Sequence, residues 1–183
     1  MQDTRDRIIE LADQLIKTRG FNAFSYKDIS DPLEIKNAAI HYYFPAKTDL
    51  GIAVIQHEIE KLAISKVIWA TLPENIQLQH LFDTFGQKGK NGCICLMGSL
   101  SPDFETLQIP MQEKLREMST DMLEWLTTCL ENGRTNQLFH FQGIAYDRAL
   151  LVISSLLASL LLSRVMGQEI YEKMSRQLLK DLL

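Results

Sequence analysis

The sequence predicts an all-α protein of about nine helices, and three observations carry that expectation. Apolar residues recur at spacings of three and four along most of the 183 residues. No run alternates convincingly enough to require a sheet. Gly and Pro fall between periodic segments, where they punctuate helices. With 46% hydrophobic and 23% charged residues, the chain has the composition of a folded protein able to bury a sizeable core.

The first helix spans Thr4 to Arg19, with Ile8, Leu11, Ala12, Leu15 and Ile16 inward, and Gly20 stops it. Phe21 and Phe24 then return to the core. Ser25 followed by Asp28 is an N-cap pattern for a short second helix, which Pro32 ends near 31–33. A third short helix fits Lys36 to Tyr43, anchored by Ile35, Ile40 and Phe44. Pro45 to Asp49 turns the chain into a long helix from about Thr48 to Trp69. Three helices within the first fifty residues form a compact tri-helical unit of the kind that reads DNA when its third helix carries outward polar groups.

Beyond Pro73, a fifth helix is expected over Ile76 to Phe85, and Gly86 to Gly92 as a flexible loop. An apolar helix from Cys93 to about Phe104 follows, ending near Ser101-Pro102. Ile109 to Glu131 is amphipathic, with Met111, Leu115, Met118, Met122, Leu126 and Leu130 inward and Asn132-Gly133 as its stop. After a connector, an apolar helix from about Tyr146 to Met166 and a final amphipathic helix to Leu183 complete the chain. The uncharged stretch from Ala149 to Ser163 is shorter than the ~18 residues needed to span a bilayer and is interrupted by serines, so no membrane partner is expected.

Asn37, Ala38, His41 and Tyr42 share one face of the third helix, and Lys36 stands at its start. That set suits a major groove: Lys36 reaches guanine, Asn37 pairs bidentately with adenine, and Ala38 leaves room for a thymine methyl. Tyr43 and Lys47, with Ser25, Tyr26 and Lys27, suit phosphate contacts. The net charge of −4 excludes indiscriminate coating of nucleic acid. Residues 1–50 carry seven Lys or Arg against eight Asp or Glu, so binding has to rest on placed residues instead of a basic surplus.

The segment Ile40-His41-Tyr42-Tyr43-Phe44-Pro45-Ala46-Lys47-Thr48-Asp49-Leu50, with Arg7-Ile8-Ile9, Gly20-Phe21 and Ser25-Tyr26-Lys27-Asp28-Ile29, resembles the N-terminal domain of TetR/AcrR-family transcriptional regulators. The resemblance implies a helix-turn-helix DNA-binding domain at 1–47 and a helical effector-binding and dimerisation domain at 48–183. It implies a homodimer that binds an inverted-repeat operator, with a small-molecule effector releasing it. The last two helices are expected to form the interface through Leu150, Ile153, Leu157, Leu160, Leu161 and Arg164, and through Ile170, Met174, Leu178 and Leu182. The family commonly carries Gly in the turn before the third helix, where this chain has Leu33-Glu34, so a carboxylate is expected near the DNA.

Trp69, Phe82, Phe85, Cys93, Cys95, Met97, Phe104, Met118, Met122 and Trp125 are candidates for an effector cavity, because Met and aromatic side chains make adaptable walls. Cys93-Ile94-Cys95 is too tightly spaced for an ordinary zinc pair, and no metal or cofactor is expected. It leaves open a thiol-based, electrophile- or redox-responsive repressor, with a helical small-molecule-binding protein of weak or no DNA binding as a further alternative. No P-loop, nucleophile elbow or paired catalytic carboxylates are present, so an enzyme is not expected. Three cysteines and a charged N-terminus without an apolar run fit a cytoplasmic setting.

Overall fold

A computed structural model describes residues 3–183. Among these the fold has nine α-helices and no strand, with two short 3₁₀ segments at Phe21–Ala23 and Ser101–Thr106. The helices are α1 (Thr4–Arg19), α2 (Lys27–Leu33), α3 (Asn37–Tyr43), α4 (Lys47–Trp69), α5 (Glu74–Lys90), α6 (Leu96–Leu100), α7 (Ile109–Thr135), α8 (Ala145–Met166) and α9 (Glu169–Lys180). The described residues form two compact units, one of residues 3–62 and 96–118 and the other of 63–95 and 119–183.

In the first unit, Ile8, Ile9, Ala12, Leu15 and Ile16 of α1 are buried, as their spacing requires, against Ile29, Ile40 and Phe44. Leu50, Val54 and Ile55 of α4, and Met111, Leu115 and Met118 of α7, complete this core. The start of α2 is fixed by its Asp28 carboxylate, whose Oδ2 accepts from both the backbone N–H and the hydroxyl of Ser25 at 2.8 Å. At its end, Glu34 takes a left-handed conformation (φ 55°), and the Ile35 N–H returns to the Ser30 carbonyl at 3.1 Å. This is a Schellman-type stop, which explains how the chain turns sharply without glycine. Pro32 lies inside α2, in its last turn.

The second unit corrects several expected boundaries. Residues 86–90 continue α5. A side chain at position 86 would stand 2.9 Å from the Tyr171 ring, so Gly86 serves close packing of α5 on α9 and is no hinge. Likewise α7 runs through Asn132-Gly133, and a Cβ at 133 would lie 2.2 Å from the Phe139 ring, so this glycine too serves close packing and is no stop. The segment 93–95 precedes α6 and is not helical. Both kinds of glycine look alike in sequence, and only the neighbour across the contact tells them apart.

Helix α8 buries Ala149, Val152, Ile153, Leu156, Ser159, Leu160 and Ser163. Its buried serines are satisfied: the Ser159 hydroxyl donates to Leu156 O at 2.8 Å, and Ser163 Oγ accepts the Tyr171 N–H at 3.0 Å. Among the described residues it is the one helix long and apolar enough to cross a membrane by length and composition, with 33% of its most apolar window buried. Its 22 residues overturn the argument from length made on Ala149–Ser163.

Candidate DNA-binding site

The recognition surface is built from α2, the turn at Glu34, and α3. Within the seven residues of α3 the inward side is held by Ile40, fully buried, with Phe44 just beyond it. Opposite it, Asn37, Ala38, His41 and Tyr42 are exposed, as is Lys36 at the helix start. Tyr42 is 81% exposed, far beyond what any packing role would leave for a ring of that size. Asn37, Ala38, His41 and Tyr42 thus stand on the exposed side of α3, with Lys36 extended just before it.

Not every expected phosphate contact is free to act. The Lys47 ammonium donates to the Phe24 carbonyl and sits over the rings of Phe24 and Phe21, at 4.1 and 4.9 Å. Burial pulls its pKa down, against the opposing pull of Asp28 and Asp103. The structure therefore ties Lys47 back onto its own unit. Lys27 and Ser25 are exposed, but the Ser25 hydroxyl is engaged by Asp28. That hydrogen bonding, first from the Ser25 backbone, holds the Asp28 carboxyl below its ordinary value, and Arg19 lies 3.2 Å away.

Tyr26 has a different position from the one sequence reasoning gave it. Its hydroxyl donates to Phe44 O at 2.8 Å, the ring meets His41 edge-on at 4.8 Å, and burial, then Asp49, pushes its pKa up to about 12. It is a positioning residue linking the start of α2 to the end of α3. Tyr26→Phe should therefore weaken DNA binding severalfold and cost stability by about 1 kcal/mol, the size of one part-buried hydrogen bond. An unchanged melting temperature with unchanged DNA affinity would remove that role. Tyr43 is half-buried and meets Tyr42 edge-on at 5.1 Å.

Glu34 yields a second expected result. A non-glycine residue in the left-handed region costs about 1 kcal/mol, partly offset by the extra unfolded-state entropy of glycine. Glu34→Gly should therefore stabilise the protein by about 0.5 kcal/mol and, by removing an exposed carboxylate beside α3, tighten DNA binding most at low salt. Thermal melting and DNA titration at two salt concentrations check the two halves separately.

The expected effector residues are divided between the units. Met97, Phe104 and Met118 pack in or against the core of the first unit. In the second, the Trp69 ring stacks on His80 at 5.9 Å and meets Trp125 at 5.6 Å, while Phe82 and Phe85 are buried. Met122 is half-buried. Phe82 borders a cleft of about 280 Å³ between α5 and α9. Cys95 is buried and Cys93 half-buried, and the Cys93 thiol lies 3.7 Å from Asn91 O. Cys129 is buried too, and burial followed by the charge of Glu74 pushes its thiol up to about 12, which makes it a poor nucleophile.

The dimer-interface candidates differ in how much surface they leave open. Ile153, Leu160 and Leu182 are buried in the chain's own core, so they present almost nothing to a partner. Leu157, Ile170, Met174 and Leu178 are half-buried, while Leu150, Leu161 and Arg164 are exposed. The Arg164 guanidinium donates to Gly92 O at 3.2 Å. Sequence reasoning missed Leu151, Leu162, Val165 and Met166, all large and exposed; Val165 is 85% exposed. Leu151, Ser154, Ala158, Leu161 and Val165 follow one another at helical spacing, a signal shifted by one residue from the stripe chosen.

An all-helical chain whose third helix stands out from a tri-helical unit with polar side chains exposed is a helix-turn-helix protein. Residues 8–54 match the bacterial regulatory proteins of the tetR family. Over its whole length the chain is similar to a TetR transcriptional regulator from Legionella pneumophila, with 30% identity, 100% of this chain and 99% of that one covered, and a TM-score of 0.90. A TetR-family regulator from Agrobacterium tumefaciens, 23% identical, has the same fold over 97% of this chain and 96% of its own, with a TM-score of 0.91. The HTH-type transcriptional repressor NemR of Escherichia coli is 24% identical over an alignment 159 residues long, covering 80% of this chain and 77% of NemR. The chain belongs to the TetR family of transcriptional regulators.

Proposed function

We propose that this regulator is a cytoplasmic repressor without enzymatic activity, which binds an inverted-repeat operator as a homodimer and is released by a small-molecule effector. The observation that carries the reading is the open face of α3, where Lys36, Asn37, Ala38, His41 and Tyr42 are all exposed while Ile40 and Phe44 secure the other side. Base edges are read by such a face, and Lys27 adds a phosphate contact beside it. Repression is the sense printed in the name of NemR, and it is carried to this chain as part of the proposal.

Dimerisation is supported by the stripe on α8. Leu151, Leu161 and Val165 are large apolar groups in water, while Ser154 and Ala158 between them are small enough for a facing helix to approach closely. Two copies of this face would bury it by two-fold symmetry, and two α3 helices about 34 Å apart would then read successive major grooves. Leu161→Glu with Val165→Glu should yield a folded monomer in sedimentation and reduce operator affinity at least tenfold. A double variant that stays dimeric would place the interface elsewhere.

Gel retardation of the DNA upstream of its own gene tests the function. The expected result is a shift that excess bulk DNA does not compete away and that weakens steeply with salt, since every neutralised phosphate releases counterions. A shift abolished equally by any competitor DNA would overturn sequence-specific repression.

A further inference from the structure

The second unit carries a cleft of about 500 Å³ where the connector between α7 and α8 meets the end of α9, away from the residues of the recognition surface in sequence and in unit. Its lining is rich in unused donors. The Phe141 ring is flanked by two guanidiniums, with Arg134 at 4.9 Å and Arg148 at 5.5 Å from its centroid. The two arginines have different surroundings. Arg134 is committed, donating to Gly143 O at 2.8 Å and to the Glu131 carboxylate at 2.6 Å. The half-buried Arg148 guanidinium lies over the Phe141 ring and makes no hydrogen bond or ion pair among the described residues, so its N–H groups are available to a ligand.

A guanidinium over an aromatic face is held by its charge against the ring and keeps its N–H donors for other partners, and a guanidinium can receive a carboxylate or phosphate through paired hydrogen bonds. Around that fork stand the exposed side chains of His140, Gln137 and Gln142, which likewise have no hydrogen-bond partner among the described residues. The position of His140 is fixed from below, because its backbone N–H donates to Leu182 O at 2.7 Å. Asp181 is the one acidic side chain lining the cleft among the described residues, and its carboxylate accepts from Gln177 at 2.7 Å. A guanidinium without a counter-ion, side-chain donors around it and one lining carboxylate make a site for an anion with several acceptor oxygens.

We propose that this cleft binds a small multiply charged oxyanion, a phosphate or a polycarboxylate, with the Arg148 fork as its principal contact and His140 and the two glutamines as secondary donors. Isothermal titration of the full-length protein at low ionic strength, with inorganic phosphate and with citrate in separate arms, tests the proposal and distinguishes the two sources. At least one of the two should bind in the millimolar range or tighter. Arg148→Gln should weaken that binding about tenfold or more, and Arg148→Lys, which keeps the charge but loses the fork, by a smaller factor. Arg176→Gln, on the exposed side of α9, should leave it unchanged. Thermal melting verifies that each variant is folded, and Arg148→Lys serves if Arg148→Gln is not. Absence of binding by both anions at ten-millimolar concentration overturns the proposal, and so does equal loss in the Arg148 and Arg176 variants, which would be general charge screening.

Discussion

Replacing Lys17 by Met should destabilise the protein by about 2 kcal/mol, the cost of taking the cation from two part-buried carboxylates, and lower its melting temperature by about 6 °C. Lys17 lies on α1 with its side chain 8% exposed, 2.8 Å from the Asp13 carboxylate and 2.9 Å from that of Glu58 on α4. Burial works against its ammonium, but the charges of Glu58 and Asp13 and their hydrogen bonds outweigh it and hold the pKa above the ordinary lysine value. A group whose folded pKa is raised contributes its stability below its unfolded value, about 10.4, and loses it as pH climbs through the folded value. The destabilisation should thus be full at neutral pH and shrink above about pH 10.4. The triple variant Lys17→Met, Asp13→Leu, Glu58→Leu should recover most of the loss, because no buried charge is then left over. A loss below about 1 kcal/mol for Lys17→Met alone would mean that water already screens the group, as it does for exposed pairs.

Tyr42→Ala should give the opposite pattern, with a melting temperature unchanged and operator affinity reduced about a hundredfold. The side chain is 81% exposed and supports no core. A base or phosphate contact worth about 1.4 kcal/mol, made once in each half-site, doubles across a two-fold dimer to that factor. Lys36→Ala is a companion measurement: loss of a phosphate contact lowers the salt slope by about one per contact, whereas loss of a base contact relaxes sequence preference at one position. DNA affinity unchanged in Tyr42→Ala would move the reading surface away from this face of α3.

The recognition helix was legible because its two faces differ sharply. Ile40 and Phe44 demand burial, Pro45 ends the segment, and the polar set falls on the remaining side. Helix α8 was not legible in the same way. It is apolar all round, so periodicity cannot say which stripe meets α9 and which meets solvent, and the exposed stripe lies about one residue, or 100° of rotation, from the one read from the sequence. Gly86 and Gly133 misled for a related reason: their role depends on Tyr171 and Phe139, distant in sequence. Lys47 and Tyr26 are of the residue types that contact phosphate, and nothing local reveals that Phe24 O and Phe44 O claim them first. Glu34 was marked by its departure from glycine, and the left-handed backbone there gives that departure its physical meaning.

The central claim is that α3 reads DNA as one of a symmetric pair. Selecting duplexes from a random-sequence pool with the purified protein tests it most directly. The expected outcome is an enriched inverted repeat whose half-site centres lie about one helical turn, or a related spacing, apart, and whose selection fails with Tyr42→Ala. Enrichment of no sequence, or of a single asymmetric site bound equally well by Tyr42→Ala, would contradict it.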